Sequence, residues 1–192
     1  MSSGSSRKML DLLLSLDSEM DLGRRNPGTF RSRLKNSLYA LSETLGGKIP
    51  VFMAYTGLYG EIKQITINEI PWKLKRNAAG FLKQNADPLK RFDYPDFICS
   101  NLHLEGRLLG IVGAKEIKTK KKIIIQALKI FSEKIDTDLL EYLEREEKDL
   151  VLKLIDRLDA VLDLQISLQE RARRSLAVLR KALRLKSAHL FY

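Results

Sequence analysis

Several residue types are scarce in this sequence, and each shortage narrows what it can be. It has one cysteine, Cys99, which rules out an internal disulfide and a thiolate metal cage and fits a cytoplasmic location. No stretch approaches the roughly 20 uncharged apolar residues of a membrane span, and "MLDLLLSLDSEM" near the start is broken by Asp11 and Asp17. The opening "MSSGSSRK" lacks the apolar core and small-residue cleavage site of a signal peptide, so 1–8 reads as a disordered tail. There is no Gly-rich phosphate loop with lysine, no histidine pair at metal spacing and no Ser/His/Asp constellation. The reading is therefore that this chain is not an enzyme, with no catalytic residue and no metal ligand to nominate.

Charge of one sign is in excess. The formal net charge is +10, carried largely by "KTKKK" at Lys118 to Lys122 and by the stretch Arg171 to Lys186, which follows an acidic run from Glu141 to Asp149. Neither basic cluster is interleaved with the aromatics that stack on single-stranded nucleic acid, and no zinc finger or Arg-rich arm is present. Nucleic acid is disfavoured as a partner relative to a plain solvated face.

What is there begins with helices. Met9, Leu13, Leu16 and Met20 recur at helical spacing and predict a first amphipathic helix, ended by "GRRNPG". Thr29 suits the N-cap of a second helix burying Phe30, Leu34, Leu38, Leu41 and Leu45, closed by Gly46 and Gly47. After Lys48 the pattern changes. "IPVFMAYTG" and "EIKQITIN" read as an antiparallel strand pair, and "FICSNLHLEGRLLGIVGAKE" reads as a hairpin turning at Glu105-Gly106-Arg107. Between the pairs, Glu69 to Asp96 is too long for a passive connection and carries Trp72, Phe81, Phe92 and Tyr94, as a segment covering a pocket or core would.

From Lys122 onward there is no proline and no glycine, which argues for one or more long helices. Leu154, Leu158, Val161, Gln165, Leu168, Ala172, Ser175, Leu179 and Ala182 step by four and three, the heptad of a coiled coil, and a second register through Val151, Ile155, Leu158 and Leu162 fits equally well. Roughly forty helical residues reach about 60 Å, beyond what one small domain can cover. The expectation is a homodimer with parallel helices, its seam formed by Leu154, Leu158, Val161, Gln165, Leu168, Ala172 and Leu179. The alternative is a helix that folds back or stays monomeric, because Glu147, Gln165 and Ser175 weaken the seam.

Laid with Ser37 over Ser175, "SLYALSETLGGKIPVFMA" and "SLAVLRKALRLKSAHLFY" share Leu38/Leu176, Leu41/Leu179, Leu45/Leu183 and Lys48/Lys186. On this reading 187–192 is the first strand of a truncated second copy, and the native chain continues past Tyr192.

These features resemble the GAF family of small sensory domains, in which a helix precedes an antiparallel sheet and a variable segment covers a pocket. In "AAGFLKQNADPLK", Gly80 and Pro88 stand at positions the family favours. In "SNLHLEGRLLGIVGA", Gly106 and Gly110 match its closing hairpin, with Asn101 where the family often has proline. The resemblance covers roughly Met9 to Leu143, followed by a stretch similar to the signalling helices that join sensor to output domains, with "EREE" at Glu144 to Glu147 like the acidic-basic junction of such connectors. It implies an α+β fold, a GAF-like antiparallel β-sheet flanked by helices, followed by a long C-terminal coiled-coil helix. The implied organisation is a GAF-like sensor domain over 9–140, a signalling helix over 141–186 and the start of a second GAF-like domain over 187–192.

Such a module would dimerise and transmit a ligand- or partner-induced change to a downstream output domain; the alternative is a ligand-free dimerisation scaffold. Members of the family bind cyclic nucleotides, bilins, haem or small metabolites. The cyclic-nucleotide motif is incomplete here, with Lys115 kept but Ala114 in place of asparagine and no following acidic pair, so that ligand is disfavoured. Bilin attachment is disfavoured because Cys99 lies in an expected central strand, and haem because His103 sits next to a turn. The cofactor stays unknown. A small-molecule pocket, if present, would draw on Phe52, Tyr55, Trp72, Phe81, Phe92 and Phe97, aromatics that equally suit a plain core.

Overall fold

In the computed structural model, residues 10–20, 28–84, 90–104 and 106–183 are described. The expected tail at 1–8, Pro88 and the predicted strand at 187–192 lie outside them. Among the described residues the fold is α+β, a four-stranded antiparallel sheet in the order β2-β1-β4-β3 with five α-helices. No helix among the described residues is long and apolar enough to cross a membrane. Contacts divide the chain into two units that meet in sequence at Glu141 and Tyr142.

The first unit begins with α1 (10–20), which buries Leu16 and Met20 as its periodicity requires. α2 (Phe30–Thr44) starts where Thr29 Oγ1 accepts a hydrogen bond from the Ser32 N–H at 3.2 Å, and buries Leu34, Leu38 and Leu41. It stops at Leu45, after which Gly46 and Gly47 both take positive φ. β1 (Val51–Thr56) pairs antiparallel with β2 (Ile62–Ile67), and β3 (Phe97–Leu104) with β4 (Arg107–Lys115). β1 also pairs with β4 and so joins the two hairpins. Gly106, at φ 76°, makes the β3–β4 turn that the sequence predicts.

The segment between the hairpins folds mainly as α3 (Trp72–Lys83), following Pro71. Leu74, Ala78 and Leu82 recur every four residues and are buried. Strand alternation then assigns the faces. Phe52 and Ala54 of β1 pack with α3, while Tyr55 meets Phe30 of α2 edge to face at 6.3 Å between ring centres.

α4 (Lys121–Leu162) is 42 residues long and belongs to both units. In the first unit Ile124, Ala127, Leu128, Phe131, Ile135 and Leu139 form its fully buried stripe. Lys134 ties it to α1, with its ammonium 2.7 Å from an Asp17 carboxylate oxygen. Where the sequence pattern predicts one unbroken helix over 141–186, two are present. α4 ends at Leu162, and α5 (Leu168–Ala182) starts afresh at Ser167, whose hydroxyl accepts from the Glu170 N–H at 3.3 Å. "SLQE" is a Ser-x-x-Glu start signal, enough to begin a new helix without proline or glycine before it.

Candidate functional site

The aromatic residues singled out from the sequence do not form one set. Phe52, Phe81, Phe92 and Phe97 come together on the α3 side of the sheet, with Ile70, Leu74, Ala78, Leu82 and Ile111. Their rings meet edge to face, Phe52 with Phe97 at 6.0 Å and Phe81 with Phe92 at 5.4 Å between centres, a favoured packing for aromatic pairs. Tyr55 is buried on the opposite face of the sheet, and Trp72, at the start of α3, is 62% exposed. The four phenylalanines pack against one another and against α3 over the sheet. Gly113 makes this possible: it pairs with both Phe52 and Cys99, and a Cβ there would run into the Phe52 ring.

A shallow cavity of about 510 Å³ borders this cluster, bounded by Pro50, Ile70, Pro71, Tyr94, Phe97 and Lys115 among others. A larger one, about 690 Å³, runs along β3, the last strand of the sheet, between the segment at Arg91 and the first turns of α4. Its lining includes Ile98, Cys99, Ser100, Asn101 and His103 of β3, Ile125, Leu128 and Lys129 of α4, and Arg91. Asn101 holds the covering segment in place, accepting from the Phe92 N–H at 3.2 Å and donating to the Lys90 carbonyl at 2.8 Å. Asparagine thus does, by side-chain hydrogen bonds, a fastening job at a position where the resembled family often has proline. On the inner side, the Ser132 hydroxyl of α4 donates to the Leu128 carbonyl at 2.8 Å and shares a hydrogen bond with Ser100 Oγ at 3.0 Å.

Two titratable groups beside this strand are strongly shifted. Burial pushes the Cys99 thiol up to about 12, with the Asp93 charge adding to it, so Cys99 stays a thiol rather than a nucleophilic thiolate. Burial also raises the Asp136 carboxyl to about 7; the His103 backbone N–H, which it accepts, works against this, and Glu133 adds to it. One Asp136 carboxylate oxygen and His103 Nε2 are both buried without a hydrogen-bond partner. Neither Asp136 nor the groove was nominated from the sequence. The signal available was a lone acid on the apolar face of a helix, two residues from Lys134.

The basic cluster at Lys118 to Lys122 is used locally. Lys120 Nζ donates to the Leu45 carbonyl at the end of α2 at 2.9 Å, and Lys121 pairs with Glu116 at 2.9 Å. Lys120 and Lys121 thus each have a structural partner within the chain.

The second unit, described by itself, holds the last turns of α4, the connection 163–167 and α5. Leu143, Leu150, Leu154 and Leu158 on α4 are half-buried and Val161 is buried; on α5, Ala172, Ser175, Leu176, Val178 and Leu179 are half-buried and Ala182 is buried. This is the pattern of an αα-hairpin closed by a short loop, with Arg171 reaching back to donate to the Leu164 carbonyl at 3.1 Å. Seam residues Leu154, Leu158, Val161, Ala172 and Leu179 are all half-buried or buried. Gln165 lies in the non-helical connection, and Leu168 is 81% exposed at the start of α5, so neither continues a seam from α4. Of the second register, Val151, Ile155 and Leu162 stay open, each close to half exposed, as is Leu152, while Leu158, shared by both registers, is half-buried.

Among the described residues no group of three or more His, Cys, Asp or Glu side chains converges as a metal site would. Compared with models of known protein families and with curated proteins, the chain matches none.

Proposed function

We propose that this chain is a sensory or regulatory module of the GAF kind, acting in the cytoplasm, which pairs with a second copy and passes a change in its sheet unit to an output domain that follows it. The observation that carries this reading is α4. One helix supplies the buried stripe from Ile124 to Leu139 under the sheet and, without a break, the open stripe Val151, Ile155 and Leu162 of the second unit. A shift of its first half against the sheet is mechanically a shift of its second half, which is what a transmitter requires. The open stripe supports self-association. Covering each of its half-exposed side chains is worth about 1 kcal/mol, which favours a parallel or antiparallel pair that forms and separates readily.

The test is sedimentation of the whole chain against the Val151→Asp/Ile155→Asp variant. The wild type is expected to associate as concentration rises, and the variant to stay monomeric with the same circular dichroism. A wild type that remains monomeric, or a variant that still associates, overturns the dimer.

A second reading, a ligand-free dimerisation scaffold, is favoured by the edge-to-face packing of the phenylalanines against one another over the sheet. The two readings part on ligand response. A sensor shows a raised melting temperature with some member of a panel of small carboxylates, nucleotides and phosphates, because binding to the native state alone stabilises it. A scaffold shows none with any of them.

A further inference from the structure

The groove beside β3 touches Ile98, Cys99, Ser100 and Asn101, four successive residues. Neighbouring side chains on a strand point to opposite faces of the sheet, so a cavity touching all four must run along the strand's edge and be floored by its backbone. Among the described residues β3 is the terminal strand, with β4 on one side and no strand on the other. Phe97 gives its N–H to the Tyr94 carbonyl at 3.1 Å, so its backbone polar groups face away from β4. In an antiparallel ladder every second residue does the same. Cys99, Asn101 and His103 therefore turn theirs outward. The outer two positions are spoken for, Phe97 by Tyr94 and His103 by the Asp136 carboxylate. Between them the N–H and C=O groups of Cys99 and Asn101 are left facing the groove, a short run of unpaired edge.

We propose that this groove is a docking site for an extended acidic peptide segment that adds to the sheet as a strand beside β3. A strand laid there sits about 4.8 Å from β3 and takes up the free groups of Cys99 and Asn101. Its alternating side chains face two different walls. One wall is α4, with Ile125 47% exposed and Leu128 beneath it, which suits an apolar side chain. The other carries Arg91. With Lys129 at the rim, where it also pairs with Glu133 at 3.8 Å, the lining holds two cations and no carboxylate of its own, which favours glutamate or aspartate at the positions facing Arg91. The same charges disfavour a second copy of β3 as the occupant, since self-pairing would bring Arg91 and Lys129 against their own like. A docked strand would touch α4 at Ile125 and Lys129, the helix that continues into the second unit. The site itself does not depend on whether that unit dimerises.

The test uses the full chain and three blocked peptides: acetyl-Glu-Val-Glu-Val-Glu-amide, the same peptide N-methylated at alternate amides, and its Lys-Val counterpart. Residue-resolved hydrogen exchange is expected to slow at the Cys99 and Asn101 amides with the first peptide and to be unchanged with the N-methylated one, which cannot donate into the edge. The lysine peptide is expected to bind about three- to tenfold more weakly, and the R91E/K129E variant to reverse that preference. No slowing at Cys99 and Asn101 overturns the proposal. So does equal binding by the N-methylated peptide, which would indicate a carboxylate pocket without strand pairing, and so does protection that rises with protein concentration alone, which would indicate a second copy.

Discussion

Replacing Asp136 with asparagine should stabilise the sheet unit, and only above a certain pH. The carboxyl sits half-buried on α4 and is raised from 3.8 to about 7, first because burial removes its water and then because Glu133 is near. The folded chain therefore holds this proton more tightly than the unfolded chain does. Between pH about 4 and pH about 7 unfolding releases a proton, so stability falls as pH rises through that window, and the full cost is present above it. Because part of the side chain keeps contact with solvent, the shift converts to a discounted cost of about 1 to 2 kcal/mol. Asparagine keeps an oxygen to accept the His103 N–H and never ionises. At pH 8 the Asp136→Asn variant should melt roughly 2 to 8 °C above wild type, and at pH 4 the gain should vanish. Thermal melts followed by circular dichroism at pH 4, 6 and 8 decide this. The reasoning fails if the difference between the two proteins is the same at every pH, or if wild type gains on the variant as pH rises.

Two further outcomes follow from backbone positions. Gly113→Ala should cost about 1 to 3 kcal/mol in urea denaturation, because its Cβ meets the Phe52 ring and comes within 2.9 Å of Cys99 Sγ. Gly80→Ala, in α3 with open space around it, should be neutral or stabilising by up to ~1 kcal/mol; a glycine order reversed in that pair would refute the packing described. Ser167→Ala should remove the start of α5 at a cost of about 1 kcal/mol. Amide exchange should then quicken at Glu170 and Arg171 while the sheet is unaffected, and unchanged exchange there would mean the helix does not depend on its cap.

Local pattern by itself determined the first two helices, all four strands, the β3–β4 turn and the helical character of the chain after Lys122. Each rests on information within a few residues: a leucine every three or four positions, a threonine at a cap, a glycine where φ must be positive. Two further features were written locally as well. "SLQE" marks the start of α5, and the separation of Phe52 from Tyr55 follows from strand alternation, since residues three apart on a strand face opposite sides.

Only the tertiary structure decided the rest. Whether four phenylalanines line a chamber or fill it depends on how closely α3 and the 90–96 segment sit on the sheet, which no spacing encodes. That the helical stretch breaks at 163–167, so that Gln165 sits outside a helix, depended on where the chain starts α5 afresh. The groove exists because β3 is last in the order β2-β1-β4-β3, a matter of which strands pair across the whole unit. Asp136 meets the His103 backbone only once α4 lies against that edge, bringing together groups far apart in the chain. Periodicity and capping are local properties that a chain carries before it folds, whereas cavities, free edges and shifted carboxyls arise from what comes to lie beside them.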